Sequence, residues 1–386
     1  MPSLFTSHAI EEATRAGNAI LKFISANDIG LTGSHQCGFY MPKSAWTLYT
    51  PHPPEKGSNE KHNIAIDWPD GTSTDSVVTW YGRGTRSEYR LTRFGRDCPW
   101  LAPDAVGNLL MLVPQSCGRF AAWVFDRDED IEDIESALGL NLLGRWGIYR
   151  DGIPQVEDED DCIIGRFRRY ADNVEAFPSC EELSQHARDV LRLCLKQFDR
   201  LGADDMLLRC AEAEYALFRA VERHLCASDI DGPFRDTDEF LRAAARMANR
   251  RKSRAGRSLE NHVEFLLTRA GIPHTMRPAI DGEPDVIIPS ARAYYDPAYP
   301  QDRLFVLGIK TTCKDRWRQV LNEGRRKREK YIVTLQAGIS TAQLDEMQQA
   351  GIGLIVPRNL HESYPEDRRA RLLTVSAFID QVRAAL

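Results

Sequence analysis

Two short apolar runs in the last third of the chain place the strongest constraint on its fold. Residues 286–288 (Val-Ile-Ile) and 304–309 (Leu-Phe-Val-Leu-Gly-Ile) are separated by a polar, turn-rich loop, and this pattern predicts paired β-strands. Asp285 stands at the start of the first run and Lys310 at the end of the second. Pairing the two strands would bring a carboxylate and an ammonium group to one edge of a sheet.

A carboxylate beside an ammonium group suits the hydrolysis of a phosphodiester. That reaction uses a hard cation, usually Mg²⁺, which one or two carboxylates hold together with phosphate oxygen and water. It also needs positive charge where negative charge develops on the phosphoryl group. Asp285 and Lys310 could supply these groups, so the pattern indicates a metal-dependent nuclease. The alternative, which spacing alone leaves open, is a turn acid and an exposed strand end.

The residues that follow the lysine are more specific. The segment 310–323 reads KTTCKDRWRQVLNE, and RKSRAGRSLE precedes it at 251–260. Both closely resemble the catalytic domain of the EcoRII-type restriction endonucleases, in which Thr-Thr and Arg-Trp follow the lysine and a glutamate lies thirteen positions after it. Glu323 stands thirteen positions after Lys310. The resemblance implies a nuclease domain of the PD-(D/E)xK class, whose relatives cut CCGG, CCNGG and CCWGG sites.

The resemblance also implies a role for three acids and the lysine. Asp285 and Glu323 would hold Mg²⁺, Glu260 would reach the metal through bound water, and Lys310 would position the attacking water. The second acid of the usual motif is missing from the strand end, where Gly308 stands. Glu323, from the helix that follows, is expected to take its place.

Other residues near this site have weaker assignments. Glu260 and Glu264 are four residues apart and can share one helix face, so Glu264 is the alternative helix acid. His262 points off that face and is a poor candidate for a general base. Tyr294 matches a tyrosine near the family's active site and receives no firm role.

Sequence readout is expected from Lys314, Asp315 and Arg316. In the family this segment reads C:G pairs through the major groove, where Arg or Lys donates to guanine and an acid accepts from cytosine N4. The alternative is an ordinary charged helix start. Trp317 is expected in the core rather than stacked on a base.

The N-terminal half carries a second resemblance. Residues 25–36 read SANDIGLTGSHQ, and residues 85–96 read TRSEYRLTRFGR. They match two DNA-contacting arms of the EcoRII N-terminal domain, a pseudobarrel related to the plant B3 fold. Short apolar runs between turns agree with a β-rich barrel. A plain loop and a basic outer strand are the alternatives. The residues expected to contact DNA are Asn27, Asp28, Thr32, His35, Gln36, Arg86, Glu88, Arg90 and Arg93.

The predicted architecture is therefore a multidomain α+β chain. Residues 1–165 form a B3-like β-barrel that binds effector DNA, a linker lies at about 149–179, and residues 180–386 form an α/β restriction-endonuclease-like domain. Ser179 and Glu182 have capping-box spacing. Helices are predicted over 9–24, 181–201, 204–226, 236–250 and 368–386.

Composition sets limits on the class of protein. A chain of 386 residues favours two domains. Nine scattered cysteines without CxxC pairs argue against a disulfide framework or zinc site and suggest reduced thiols in a cytoplasmic protein. No apolar run reaches the roughly 20 residues of a membrane span, and no signal peptide is expected. The net charge is −6, yet residues 310–330 hold nine Lys or Arg against three acids, which favours phosphate binding there.

The resemblance implies a type II restriction endonuclease that cuts double-stranded DNA at CC(W/N)GG, 5′ of the first C, with flipped central bases, an N-terminal domain that restrains the nuclease until it binds a second site, and a companion cytosine methyltransferase. Cutting both strands of a twofold-symmetric site calls for two active sites, so a homodimer is expected. A DNA-repair nuclease without CC(N)GG preference, or a DNA-binding regulator with an idle nuclease domain, is the alternative. The identity of the central base pair stays open.

Overall fold

A computed structural model describes residues 2–32, 37–50, 52–84, 87–94, 98–116, 118–143, 146–150, 153–155, 161–231 and 234–386. The chain divides into two compact units. The N-terminal unit contains Met1–Val156 with Gln336–Glu346 and Leu360–Ala370. The C-terminal unit contains Glu157–Leu335, Met347–Asn359 and Arg371–Leu386.

A nine-stranded sheet forms the body of the N-terminal unit. Its strands are β1 (Asn18–Phe23), β2 (Phe39–Met41), β3 (Asn59–Asp67), β4 (Ser73–Tyr81), β5 (Glu88–Thr92), β6 (Leu109–Ser116), β7 (Arg119–Phe125), β8 (Trp146–Arg150) and β9 (Ile153–Gln155). Their order is β2-β5-β4-β3-β7-β6-β1-β8-β9, and only β3 and β7 pair in parallel among these strands. The predicted β-rich N-terminal region is confirmed.

Side chains alternate between the two faces of this sheet, so it has two cores. On β1, Ile20 belongs to one apolar cluster, with Trp80 and Leu91, and its neighbour Leu21 belongs to the other. Helices α1 (Leu4–Ala16) and α3 (Asp128–Leu138) pack in that second cluster, and a short α2 (Trp46–Tyr49) packs against the first.

The helix predicted over 9–24 is wrong in its second half. Helix α1 ends at Ala16, where Gly17 takes the left-handed conformation with φ +67° and its N–H bonds to the Thr14 carbonyl. The residues that follow form β1, which lies between β6 and β8 and is buried along almost its whole length. A strand buried on both faces has a continuous apolar run, which periodicity cannot distinguish from a buried helix.

The C-terminal unit combines helices with a five-stranded sheet. The helices are α4 (Asp161–Ala171), α5 (Cys180–Cys194), α6 (Ala203–Asp231), α7 (Thr237–Arg269), α8 (Ala291–Tyr295), α9 (Trp317–Val320) and α11 (Val375–Ala385), whereas most of α10 (Thr341–Gln349) belongs to the N-terminal unit. The strands, in spatial order, are β10 (Thr275–Met276), β11 (Val286–Ile288), β12 (Phe305–Lys310), β13 (Lys330–Thr334) and β14 (Ile352–Ile355). The β12–β13 and β13–β14 pairs are parallel, as in α/β sheets, so the predicted fold class is confirmed.

The helix predictions for this unit are right in place and wrong in extent. The capping box of Ser179 and Glu182 begins α5 as predicted. The helix predicted to end at 250 instead continues to Arg269 as part of α7, because no proline or terminating glycine turn interrupts 251–269. No helix in the described ranges is both long and apolar enough to cross a membrane.

The expectation that all thiols are reduced is wrong for one pair. Cys162 on α4 and Cys194 on α5 form a disulfide. The two residues are 32 positions apart and meet because α4 packs against α5, which their spacing in the sequence does not reveal. Six other cysteines in the described ranges form no disulfide.

A cluster of polar side chains is buried among α5, α6 and α7. Oε2 of Glu214 accepts a hydrogen bond from Ser184 at 2.5 Å and lies 2.9 Å from Nε2 of His262. Arg188 lies 3.2 Å from Nδ1 of His262, and Arg254 lies 3.6 Å from Oε1 of Glu214. Burial lowers the pKa of His262. Burial alone would raise the pKa of Glu214, but hydrogen bonds from His262 and Ser184 and the charge of Arg254 lower it on balance.

We expect the contribution of His262 to the free energy of unfolding to fall as the pH drops below 6.5. The pKa of His262 lies below 6.5 in the folded chain, so the unfolded chain takes up a proton there that the folded chain does not. His262→Gln should flatten this dependence between pH 6.5 and about 5. Urea unfolding at several pH values measures it, with the exposed His8→Gln as a control. Equal slopes in wild type and His262→Gln would contradict the prediction.

Candidate active site

Strands β11 and β12 bring Asp285 and Lys310 into contact. The strands are antiparallel with Val286 opposite Leu307, so the residue before β11 lies beside the end of β12. Oδ2 of Asp285 accepts a hydrogen bond from Nζ of Lys310 at 2.8 Å and another from the Ile309 amide at 2.6 Å. Both side chains are 18% exposed, so the ion pair is accessible but largely withdrawn from water. The pair can hold one positive and one negative group beside a phosphate.

Glu323 lies beside this pair, in the turn after α9. A β-carbon built on Gly308 would meet the side chain of Val320 at 2.7 Å and would lie 3.7 Å from Oε2 of Glu323, so Val320 covers that glycine and the carboxylate lies close to it. Because residues two apart on a strand share a face, Gly308 and Lys310 point the same way from β12. The pKa of Glu323 is raised to about 7, chiefly by burial; Asp285 adds to the increase, whereas Lys310 and Lys330 oppose it. Oε2 has no hydrogen-bond partner among the described residues.

Glu260 reaches the same neighbourhood from α7. Its Oε2 accepts hydrogen bonds from Arg257 at 3.1 Å and from Arg277 at 2.7 Å. Burial raises the pKa of Glu260, and Asp285 adds to the increase, whereas Arg257 and Lys310 oppose it. The charges of Asp285 and Lys310 therefore influence the pKa of Glu260, although its carboxylate is already hydrogen-bonded to two arginines. His262, two positions further on, is fully buried against Glu214 and faces away from this site, as its sequence position indicated.

The acids are suited to a divalent metal ion whose coordination shell the protein fills only in part. Within the described residues, no three His, Cys, Asp or Glu side chains converge as a closed metal site. Mg²⁺ is usually bound by one or two carboxylates, with water and substrate phosphate completing its shell. Asp285 and Glu323 provide that number, and the unpartnered oxygen of buried Glu323 would gain a partner from a cation or its water. The donor set therefore fits a hard divalent cation.

Two positions around Glu323 were not singled out from the sequence. Lys330 is 4% exposed, and its Nζ donates to the Leu321 carbonyl at 2.6 Å in the same turn. Asp281 accepts hydrogen bonds from the hydroxyl of Tyr294 at 2.5 Å and from the Arg325 amide at 2.7 Å. An Asp-Gly dipeptide at 281–282 marks a turn in the sequence, but nothing local links that turn to residue 325.

The expected readout residues lie between β12 and α9. Asp315 is exposed and Arg316 is partly exposed, whereas Lys314 is only 4% exposed. Little of the Lys314 side chain is accessible for a base contact in this conformation. Trp317 is buried, as predicted, with the Arg318 guanidinium 4.7 Å from its ring centre.

In the first N-terminal arm, Asp28 is fully buried. Its carboxylate accepts hydrogen bonds from Nζ of Lys22 at 2.7 Å, from the amide and hydroxyl of Ser25 at 2.8 and 2.7 Å, and from the Tyr40 amide at 2.8 Å. These contacts tie the arm to β1 and β2 and leave the carboxylate out of reach of DNA. Thr32 donates to the side chain of Asn27 at 2.9 Å, and both are partly exposed.

In the second arm, the described residues lie on and after β5. Arg90 is 9% exposed and pairs with Glu88 at 3.3 Å, and its Nη1 has no hydrogen-bond partner in the described chain. Arg93 is exposed and has a φ of +67°. His35, Gln36 and Arg86, also expected to contact DNA, lie outside the described residues.

Comparison with known proteins agrees with both regions. The family described as "EcoRII C terminal" matches residues 218–379, and "Restriction endonuclease EcoRII, N-terminal" matches residues 13–144. The chain is 33% identical over 398 aligned residues to the "Type II restriction enzyme EcoRII" of Escherichia coli, covering 98% of this chain and 97% of that enzyme. It is 26% identical over 148 residues to the "Type II restriction enzyme SsoII" of Shigella sonnei, covering 35% of this chain and 46% of that enzyme.

Two solved structures of protein–DNA complexes align with part of the chain. Metal-depleted Ecl18kI with uncleaved DNA has a TM-score of 0.44 at 19% identity and covers 57% of this chain and 84% of that one. The PspGI–substrate DNA complex has a TM-score of 0.46 at 18% identity and covers 54% and 93%.

The sequence matches define the class of protein: the chain is a type II restriction enzyme. Within that class it belongs to the EcoRII family, with both the N-terminal and the C-terminal domain of that family present.

We expect Asp285→Asn to lower DNA cleavage by roughly 10²-fold or more, the usual effect of removing one electrostatic group from an active site. The substitution removes a carboxylate and the charge that holds Lys310. Binding to duplex DNA in EDTA should not weaken, because the change removes negative charge near phosphates. Cleavage rates and mobility shifts measure the two effects. Asp296→Asn, an exposed acid in the same unit, should cleave like wild type. Full activity of Asp285→Asn would exclude Asp285 from the site.

Proposed function

We propose that this enzyme cleaves double-stranded DNA at CC(W/N)GG sites, 5′ of the first C, by Mg²⁺-dependent phosphodiester hydrolysis. The observation that carries the proposal is the grouping of Asp285, Lys310 and Glu323 at the end of β12: Asp285 is paired with Lys310, and a β-carbon on Gly308 would lie 3.7 Å from Oε2 of Glu323. Whole-length similarity to the EcoRII enzyme of Escherichia coli supports the choice of site.

Each side chain of the site has a proposed task. Asp285 and Glu323 would hold Mg²⁺, which when bound polarises a phosphoryl oxygen and lowers the pKa of water. Asp285 also holds Lys310 through the 2.8 Å ion pair, so the ammonium is directed at the attacking water and the phosphoryl group. Glu260 would act on the same site through water, since Arg257 and Arg277 occupy its carboxylate.

Recognition of the C:G pairs is proposed for Lys314, Asp315 and Arg316. Their residue types match donors for guanine O6 and N7 and an acceptor for cytosine N4. Because Lys314 is covered in this conformation, its contact with a base would require the 311–316 segment to move on DNA binding.

Cutting both strands of a twofold-symmetric site calls for two active sites, so we propose a homodimer. A cytosine methyltransferase acting on the same site would protect host DNA.

The N-terminal domain is proposed to bind a second DNA site and to restrain the nuclease until it does. Segments 336–346 and 360–370 lie inside the region matched by the C-terminal family, yet they pack within the N-terminal unit. The Ala26 amide, within the first DNA arm, donates to the Ser363 carbonyl at 3.0 Å. Binding of DNA to that arm would therefore act on a segment that the C-terminal family matches. Asp28 is proposed to hold the arm rather than to contact DNA.

Digestion of two plasmids tests the proposed specificity. Purified protein with Mg²⁺ should cut a plasmid that has several CCWGG sites. Cutting of a plasmid that has only CCSGG sites would extend the specificity to CCNGG. Lys310→Ala should lower the rate by about 10²- to 10³-fold, because it removes the charge that stabilises the transition state. Stimulation of single-site cleavage by a site-bearing oligonucleotide would support the effector role. No cleavage by wild type, with or without that oligonucleotide, would contradict the proposed function.

Salt dependence tests the N-terminal DNA contacts. Arg93→Gln should weaken binding of an uncut site-bearing duplex and reduce the slope of log K against log salt by about 1, as expected when one phosphate contact is lost. Fluorescence anisotropy over a range of salt concentrations measures this slope. Arg119→Gln is the matched control, because Arg119 is exposed on β7 and paired with Asp67, three strands from β5. A slope unchanged by Arg93→Gln would remove that residue from the interface.

A further inference from the structure

The backbone that follows Glu323 is held by two side chains from distant parts of the domain. Three consecutive amides, those of residues 324–326, are all taken up by Asp281 and Tyr294. The first donates to the Asp281 carbonyl at 2.8 Å, the second to Oδ2 of Asp281 at 2.7 Å, and the third to the Tyr294 hydroxyl at 3.1 Å. The Tyr294 hydroxyl in turn donates to Oδ1 of Asp281 at 2.5 Å, so both carboxylate oxygens are used.

The two backbone segments also approach too closely for ordinary side chains. Gly282 has a φ of +76°, and a β-carbon there would collide with the carbonyl oxygen of Asn322 and the α-carbon of Glu323. Gly324 has a φ of +54° and lies against Val306 of β12. The turn that carries Glu323 is therefore pressed onto the loop that carries Asp281.

Further contacts fix the ends of the same turn. Nζ of Lys330 holds the Leu321 carbonyl at 2.6 Å, and the Arg326 guanidinium donates to the carbonyls of Ala293, Tyr294 and Tyr299. The segment between α9 and β13 has no regular secondary structure, so these contacts determine where its side chains stand.

We propose that Asp281, acting with Tyr294, is a positioning residue that sets the Glu323 carboxylate into the metal site close to Gly308. This inference rests on the proposed function, because it gives Glu323 a metal to hold. Asp281 does not touch substrate or metal in this role; it acts through the backbone of residues 324–326. Groups that orient a metal ligand typically change metal affinity or activity by about 10- to 100-fold when they are replaced.

The test measures metal binding as well as cleavage. In Asp281→Asn an NH₂ group replaces one of the two side-chain oxygens. Because NH₂ does not accept hydrogen bonds, the side chain can no longer use one oxygen for the Tyr294 hydroxyl and the other for the backbone N–H of Arg325. We expect Mn²⁺ affinity, measured by the EPR signal of free Mn²⁺, to fall about 10-fold or more. The Mg²⁺ concentration for half-maximal cleavage should rise by a similar factor. DNA binding in EDTA should stay unchanged, and Asp285→Asn gives the background of Mn²⁺ bound elsewhere.

Tyr294→Phe provides a milder second variant, because it removes only the hydroxyl. It should shift the Mn²⁺ affinity in the same direction, and the double variant should lose less than the sum of the two single losses, as expected of residues in one network. Tyr295→Phe is the matched control: its hydroxyl donates to the Ala279 carbonyl and touches no part of the turn. Thermal unfolding checks that each variant is folded.

The outcomes separate this inference from the function on which it rests. Wild-type cleavage together with an unchanged metal requirement in both Asp281→Asn and Tyr294→Phe would overturn the positioning role alone. A lower rate at an unchanged Mn²⁺ affinity would also overturn it, because general loss of folded enzyme does not alter metal affinity. Wild-type protein that neither cleaves DNA nor binds more Mn²⁺ than Asp285→Asn would overturn the proposed function and the positioning role with it.

Discussion

The ion pair between Asp285 and Lys310 is the interaction around which the nuclease domain is arranged. It joins the residue before β11 to the last residue of β12, and the same carboxylate oxygen also accepts the Ile309 amide. Replacing either partner would leave the other charge without its counter-charge at a site where both side chains are only 18% exposed. The distance between the charges depends on the register of the two strands, which fully buried Val286 and Leu307 hold in place. The apolar core therefore fixes the distance between the two charges of the site.

Local patterns were sufficient to predict this pair but not its partner acid. Asp285 and Lys310 each adjoin an apolar run, so strand pairing alone brings them together. Glu323 lies in an irregular turn, where periodicity predicts nothing, and only the resemblance to EcoRII enzymes singled it out. Glu323 lies close to Gly308, which stands where the usual motif has its second acid. In the proposed site the carboxylate missing from the strand is therefore supplied by a residue that is distant in sequence.

Contacts between distant segments account for what the sequence could not predict. Asp28 lies in a polar, glycine-rich segment that resembles a DNA-contacting arm, but its burial depends on Lys22 and on the Tyr40 amide, six and twelve positions away. Residues 18–23 were predicted as helix because periodicity cannot distinguish a short, mostly apolar strand enclosed by two neighbours from a buried helix. The Cys162–Cys194 bond likewise follows from helix packing. In each case tertiary contacts decide an outcome that composition and spacing leave open.

When an acid lies on a turn, residues from other segments must fix its position. A side chain on β12 would be fixed by the hydrogen bonds of two neighbouring strands, whereas the turn of Glu323 is fixed by Asp281, which lies 44 positions from Arg325 in the sequence. The glycines at 282 and 324 serve the same purpose, and both have a positive φ. A β-carbon on Gly282 would collide with the backbone of Asn322 and Glu323, and one on Gly324 would lie 3.0 Å from the side chain of Val306. In the proposed site the position of Glu323 therefore depends on these loops as well as on the strands.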